Sequence, residues 1–258
     1  MYKLLNTANG AKGLLSAEHI AVILCCMVVI IFFSMFFSRR DFAKQRIFVG
    51  VCTFLLIAVE AVRIVFRYRY LESIGESLTF LSATGLDGFV LSLWVSILLL
   101  VFAVIKKKNP DTKIFGLNFV FSISALFAIA TIIYPVGVME ELPVYDINNI
   151  AYFLSRTFVV MLALMLALSG WIGVKKFLDM WRGLGSLVFF GVLCFVITYF
   201  AFPGNNIFYL YNFPWFVSLG INLPFPLHYL LLGAFLFIGQ MVMCLPFRIQ
   251  NILQHNED

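Results

Sequence analysis

Apolar residues occur in long runs broken by short polar or turn-forming clusters. A helix needs about 20 apolar residues to cross the hydrocarbon of a bilayer. On that criterion the chain predicts seven helical spans, at about 18–38, 46–66, 78–105, 114–135, 150–174, 184–202 and 225–247. The third and fifth are long enough to tilt or to project past the bilayer. The sixth is the shortest, and Gly183, Gly185 and Gly191 loosen its first half. The first run, Ile20 to Phe37, is too long for a signal peptide's apolar core. Phe36–Phe37–Ser38–Arg39 offers no small-residue cleavage site, so this run is expected to be a retained span. Lys108–Asn109–Pro110–Asp111 and Pro203–Gly204–Asn205–Asn206 are breaker clusters between spans. No internal repeat or low-complexity linker divides the chain, so residues 1–258 are expected to form a single transmembrane domain. The predicted fold is all-α, a polytopic seven-transmembrane-helix bundle.

Composition agrees with the pattern. Hydrophobic residues make up 62% of the chain, against about 45–50% in soluble domains. Charged residues make up 12%, about half the usual share. One soluble core of this length could not bury so much apolar surface. A soluble enzyme, a disordered chain and a disulfide scaffold are thereby excluded. The net charge of +5 is no nucleic-acid footprint, because the bases sit in short clusters between apolar runs and no nucleic-acid-binding motif is present.

Those clusters predict orientation. The first connection carries Arg39, Arg40, Lys44 and Arg46 against Asp41. The third carries Lys106, Lys107, Lys108 and Lys113 against Asp111; the fifth carries Lys175, Lys176 and Arg182 against Asp179. Arg248 begins the tail. The fourth connection has Glu140, Glu141 and Asp146 with no base, and Pro203–Pro224 has no charge. Seven spans place every basic connection on one side, which makes that side cytoplasmic and the N-terminus external.

Ionisable groups inside spans cost about 2.5–3.5 kcal/mol each on insertion scales and normally face a partner or a wet cavity. Here they are Glu18 and His19 at the mouth of span one, Glu60 and Arg63 in span two, Asp87 in span three, Arg156 in span five and His228 in span seven. Threaded through the topology, all fall in the outer half of the bilayer. Glu60 and Arg63, three apart on one helix face, can pair locally. Asp87 and Arg156 lie at similar depths, about 14 Å and 9 Å along their spans, which suits a pair between helices. Ser82, Thr84, Ser155, Thr157, Tyr134, Asn205 and Asn206 crowd the same level. The expectation is a polar pocket opening outward, with Glu60, Arg63, Asp87, Arg156, His19, His228, Asn205 and Asn206 as candidate ligand-binding residues. A purely architectural ion-pair network is the competing reading.

Signals for other chemistry are sparse. His19 and His228 could serve as a general base or proton relay, although an interfacial His is more often a hydrogen-bonded anchor. Cys25, Cys26, Cys52, Cys194 and Cys244 all lie in apolar spans without zinc spacing, so no metal is expected and they read as small hydrophobes. No P-loop, dinucleotide fingerprint, HExxH or GxSxG occurs, and no cofactor is expected.

Over about residues 14–248 the chain resembles the YwaF family of bacterial integral membrane proteins, which are related to animal transmembrane phospholipid acyltransferases. Glu18–His19 opens span one like the family's Glu/Gln–His pair, and Glu60 sits where it carries an acidic residue late in span two. Ile133–Tyr134–Pro135 closes span four like its Thr–Pro. Asn205–Asn206–Ile207–Phe208–Tyr209–Leu210 with Pro214 is similar to its Asn–Tyr–Met segment before a Pro. Pro224–Phe225–Pro226–Leu227–His228–Tyr229 and Leu245–Pro246–Phe247 are similar to the start and end of its last span. Two positions depart from the pattern. Leu78–Thr79–Phe80–Leu81–Ser82 stands where the family has Pro–Leu–His–Leu–Cys, and Arg156 stands where it has a His. Those are the proposed nucleophile and base of the acyltransferase relatives. Ser82 needs a base to replace a thiol, and Arg156 cannot accept a proton; His19 or His228 would have to substitute.

The resemblance implies a multi-pass protein of the cell membrane, specifically a bacterial plasma membrane, with membrane lipids as partners. The expected function is binding of a lipid headgroup or small amphiphile in the outer polar cavity; Ser82 and Arg156 at the family's Cys and His positions weigh against acyl transfer. The alternatives are a small-molecule or proton-coupled transporter, which would need polar groups past the midplane, and a structural or partner-binding subunit.

Overall fold

A computed structural model of the chain describes residues 15–75, 117–135, 145–172, 177–201, 219–224 and 227–255, with 95, 98, 99, 101, 102, 104, 105, 216 and 217. Six long helices make up most of this: α1 (Ala17–Ser38), α2 (Phe42–Ile74), α3 (Leu117–Ile133), α4 (Ile147–Leu168), α5 (Phe177–Ala201) and α6 (Leu227–His255). No strand occurs among the described residues. Four helices, α1, α2, α4 and the Leu227–Ile249 part of α6, are long and apolar enough to cross a membrane. By the length and composition of those helices this is an all-α membrane protein. α3 has 17 residues, about 25 Å.

Local chemistry sets the helix ends. The Ser16 side chain caps α1 by accepting from the His19 backbone N–H at 3.3 Å. α2 continues eight residues beyond the expected span end at 66. It carries an exposed Arg69–Glu72 pair (3.4 Å) and stops at Gly75, whose φ of 74° supplies the left-handed cap. α4 begins one turn earlier than the hydropathy suggests because Asp146 caps it, accepting from the Asn148 backbone N–H at 2.8 Å. It ends at Leu168 in a Schellman turn: Trp171 N–H donates to Leu166 O and Gly170 N–H to Ala167 O, with Gly170 at φ 74°. That turn folds Trp171 back onto the bundle.

Contacts fix the helix directions. α1 and α2 form a hairpin, with Phe37 stacked on Phe48 at 3.7 Å. We call the end where α1 begins the top; the α1–α2 turn is then at the bottom. α4 runs parallel to α1, since His19 lies beside Phe153 and Ser34 bonds to Met161 further down. α3 runs the opposite way along α4, with Thr131 near its C-terminus bonded to Arg156. α6 opposes both α5, through Trp181–Phe237, and α3, where Leu126 meets Gly239. α2 and α3 therefore run in the same sense, and most of the expected third span, 78–105, lies outside the described residues. Val95, Leu99 and Phe102, spaced i, i+4, i+7, are helical and lie in the main core with Leu56, Phe121 and Leu162.

α4 is the hub. It packs against α1, α2 and α3, and 67% of its apolar window is buried against 11% for α1. Of the four helices able to span, α1 has the highest mean hydropathy, 3.1, and the least burial, as expected where lipid solvates hydrocarbon as well as a protein core does. α1 turns His19, Cys26 and Ser34 inward, a stripe spaced by seven and eight residues. Two of them bond to a neighbouring helix: His19 to Ile132 O, and Ser34 to Met161 O at 2.8 Å. In lipid, such groups mark the inner face better than hydrophobicity does.

Candidate functional site

The top half of the bundle gathers buried polar side chains around the first three turns of α4. His19, Asp146, Asn149 and Ser155 are fully buried; Thr157, Glu60 and Arg63 are nearly so. Membrane depth demands that such groups be satisfied internally. Six hydroxyls do this by donating to the carbonyl four residues back: Thr53, Ser122, Ser124, Thr131, Thr157 and Ser169. These bonds leave the larger side chains to make the contacts between helices.

His19 bridges α1 and α3. Its Nδ1 accepts from the Leu15 backbone N–H at 3.1 Å, and Nε2 lies 2.9 Å from Ile132 O. A carbonyl can only accept, so Nε2 carries the hydrogen and the ring is the neutral Nε2–H tautomer. With both ring nitrogens engaged, this His is seated as a strut between helix ends. One residue earlier on α3, Thr131 Oγ1 accepts from Arg156 Nε at 2.9 Å. The Arg156 guanidinium lies over the Tyr152 ring, 3.3 Å from its centroid, and donates to Tyr152 O at 3.0 Å. Tyr152 itself donates from its hydroxyl to Thr131 O at 3.2 Å. Residues 131 and 132 of α3 thus receive both His19 and Arg156, the first from α1 and the second from α4.

Glu60 and Arg63 form the ion pair their spacing permits, with Arg63 Nε donating to Glu60 Oε2 at 2.9 Å and side chains only 4% and 6% exposed. Depth can be judged from the bottom of the bundle, where Gln45 meets Trp171. Glu60 is fifteen residues up α2 from Gln45, about 22 Å, and Arg156 is twelve up α4 from Leu168, about 18 Å. The two charged groups therefore stand at a similar height. Asp87 and Ser82, and likewise Asn205 and Asn206, lie outside the described residues. His228 starts α6 in a separate cluster with Phe216, ring centroids 5.8 Å apart.

Several residues of this layer were not singled out from the sequence. Tyr152 was legible, since an aromatic four residues before an Arg places ring and guanidinium on one helix face. Thr131 and Asn149 carried no signal beyond being polar in an apolar run. Asp146, read as a loop charge, is a buried N-cap whose Oδ1 accepts from both Asn148 nitrogens, at 2.8 and 2.9 Å.

A second polar junction closes the bottom. Gln45 donates to Ser38 O and Arg40 O, at 3.0 and 2.7 Å, and accepts from Trp171 Nε1 at 2.7 Å. Phe42 stacks on Trp171 at 4.9 Å. No disulfide engages Cys25, Cys26, Cys52 or Cys244. Among the described residues no group of three or more His, Cys, Asp or Glu could hold a metal ion. No family model, curated protein or solved structure matches the chain.

Proposed function

We propose that this is a seven-span, YwaF-like protein of a bacterial plasma membrane that binds a lipid headgroup or small amphiphile in its polar layer. In this reading the N-terminus is outside and the C-terminus cytoplasmic. The parallel course of α1, α4 and α6 against α2, α3 and α5 supports strict alternation, with one further span between α2 and α3. The clustering of Arg39, Arg40, Lys44, Arg46 and Arg248 supports a cytoplasmic bottom. The observation that carries the binding role is the buried polar layer drawn from four helices at one height, with Arg156 braced on Tyr152 and Thr131. A braced guanidinium is suited to hold a phosphate by charge-assisted hydrogen bonds. Asp87 and Glu60 would balance the charge of an empty site.

The test is Arg156→Ala in the purified full chain. The expected result is loss of a co-purifying phospholipid together with a lower unfolding midpoint. If both the bound lipid and the midpoint stay as in the wild type, the reading fails. The near-complete burial of the Glu60–Arg63 pair favours a second reading, in which the layer only fixes helix order. Under it, Arg156→Ala lowers stability while lipid content stays constant.

A further inference from the structure

A cleft of about 670 Å³ runs between α1, α3, α4 and α6. Its volume falls within the range of about 300–1,000 Å³ seen for small-molecule sites. The floor is buried, with Phe121, Val160 and Cys244 at 2–6% exposure, while the rims at Met27, Ile31 and Leu168 are 43–49% exposed. The cleft is therefore roofless rather than an internal void. Its lining is apolar except for thiols and Ser122, whose hydroxyl already donates to Asn118 O at 2.7 Å. A dry, apolar trough gives water too few partners to settle in it. In a membrane-crossing bundle the medium at its mouth is hydrocarbon.

Two measures narrow the occupant. The α3 wall runs from Phe121 to Ile133, twelve residues or about 18 Å, close to the roughly 15 Å of hydrocarbon in one leaflet. The bottom end, at Ile172, Pro246 and Phe247, is also the basic end. Arg248 follows Phe247 directly, and the exposed Arg39 and Arg40 stand in the α1–α2 turn. The nearby acid, Asp41, is engaged with Lys44 at 3.3 Å.

We propose that this cleft holds one acyl chain of an anionic phospholipid whose phosphate lies at the basic bottom end. The chain lies along α3, and the headgroup charge meets Arg248 and the α1–α2 turn, the sign that basic residues at a membrane surface select. This site is separate from the polar layer above and rests only on the bundle's crossing a membrane.

The test is native mass spectrometry of the full chain, delipidated and then incubated with mixed micelles of phosphatidylglycerol or phosphatidylcholine. The wild type is expected to show a one-lipid adduct, about fivefold or more stronger with phosphatidylglycerol, the ratio due to one basic residue near an anionic group. Arg248→Gln should keep the adduct and lose that preference. Ala163→Phe, which fills the floor, and Met27→Trp, which blocks the half-exposed rim without touching the core, should each lose the adduct. Arg156→Ala should leave the phosphatidylglycerol-preferring adduct that the cleft variants remove intact, whatever it does to lipid held in the polar layer, so failure of the headgroup reading above does not touch this one. The proposal is overturned if both lipids bind the wild type equally, if neither cleft variant weakens the adduct, or if Arg156→Ala removes it. It is also overturned if the cleft proves to be filled by a second copy, seen as a dimer that Met27→Trp breaks.

Discussion

Glu60→Leu is expected to destabilise this protein far more than the double change Glu60→Leu with Arg63→Met. The single change leaves the Arg63 guanidinium, 6% exposed, without the carboxylate 2.9 Å from its Nε. Stripping one partner from a buried ion pair costs about 3–5 kcal/mol, because the remaining charge loses its compensation in a low dielectric. The double change removes both charges and puts apolar side chains of similar length into a helix already surrounded by hydrocarbon. Replacements of that kind are about neutral, or stabilising by about 1–4 kcal/mol. The coupling energy of the cycle should therefore be about 3 kcal/mol or more, against the 0.5–3 kcal/mol common for touching residues. Unfolding of the purified protein in mixed micelles, titrated with sodium dodecyl sulfate and followed by Trp fluorescence, gives all four midpoints. Additive single effects would refute the reasoning, since they would mean that each charge is compensated by something other than its neighbour three residues away.

Four further outcomes follow from local geometry. His19→Phe should cost about 1–3 kcal/mol in the same titration, chiefly because Ile132 O loses its buried partner; ¹⁵N spectra of the wild type should show the neutral Nε2–H tautomer. Gln45→Leu should cost about 2–4 kcal/mol, as three hydrogen bonds at 2.7–3.0 Å are lost, and should red-shift Trp171 emission. Gly170→Ala should cost about 1–2 kcal/mol because φ is 74° there, although its Cβ would meet nothing within 4 Å. Gly185→Ala, in open space on α5, should instead stabilise by up to about 1 kcal/mol; equal effects of the two glycine changes would show that backbone conformation is not what separates them.

The apolar runs alone located α1 to α6, because a bilayer imposes a minimum length on any uninterrupted helix. The same rule misjudged the ends, which depend on caps: Asp146 starts α4 early, and α2 runs on past residue 66 to its left-handed cap at Gly75. The spacing of Glu60 and Arg63 was enough to forecast their pair, since i,i+3 partners share a helix face whatever surrounds them. Partners across helices were hidden, because they depend on which faces meet. α1 shows why. It is apolar all round, so hydropathy cannot say which side turns inward, and only packing shows that His19, Cys26 and Ser34 form its inner edge. In water, burial follows hydrophobicity. In lipid that gradient vanishes, and helix faces are chosen by close packing and by hydrogen bonds that must find a protein partner. The sequence therefore determined how many residues lie in apolar helices and where the charges fall along them. The tertiary structure decided that His19 and Arg156 meet the end of α3, and that a trough remains between α1 and α6.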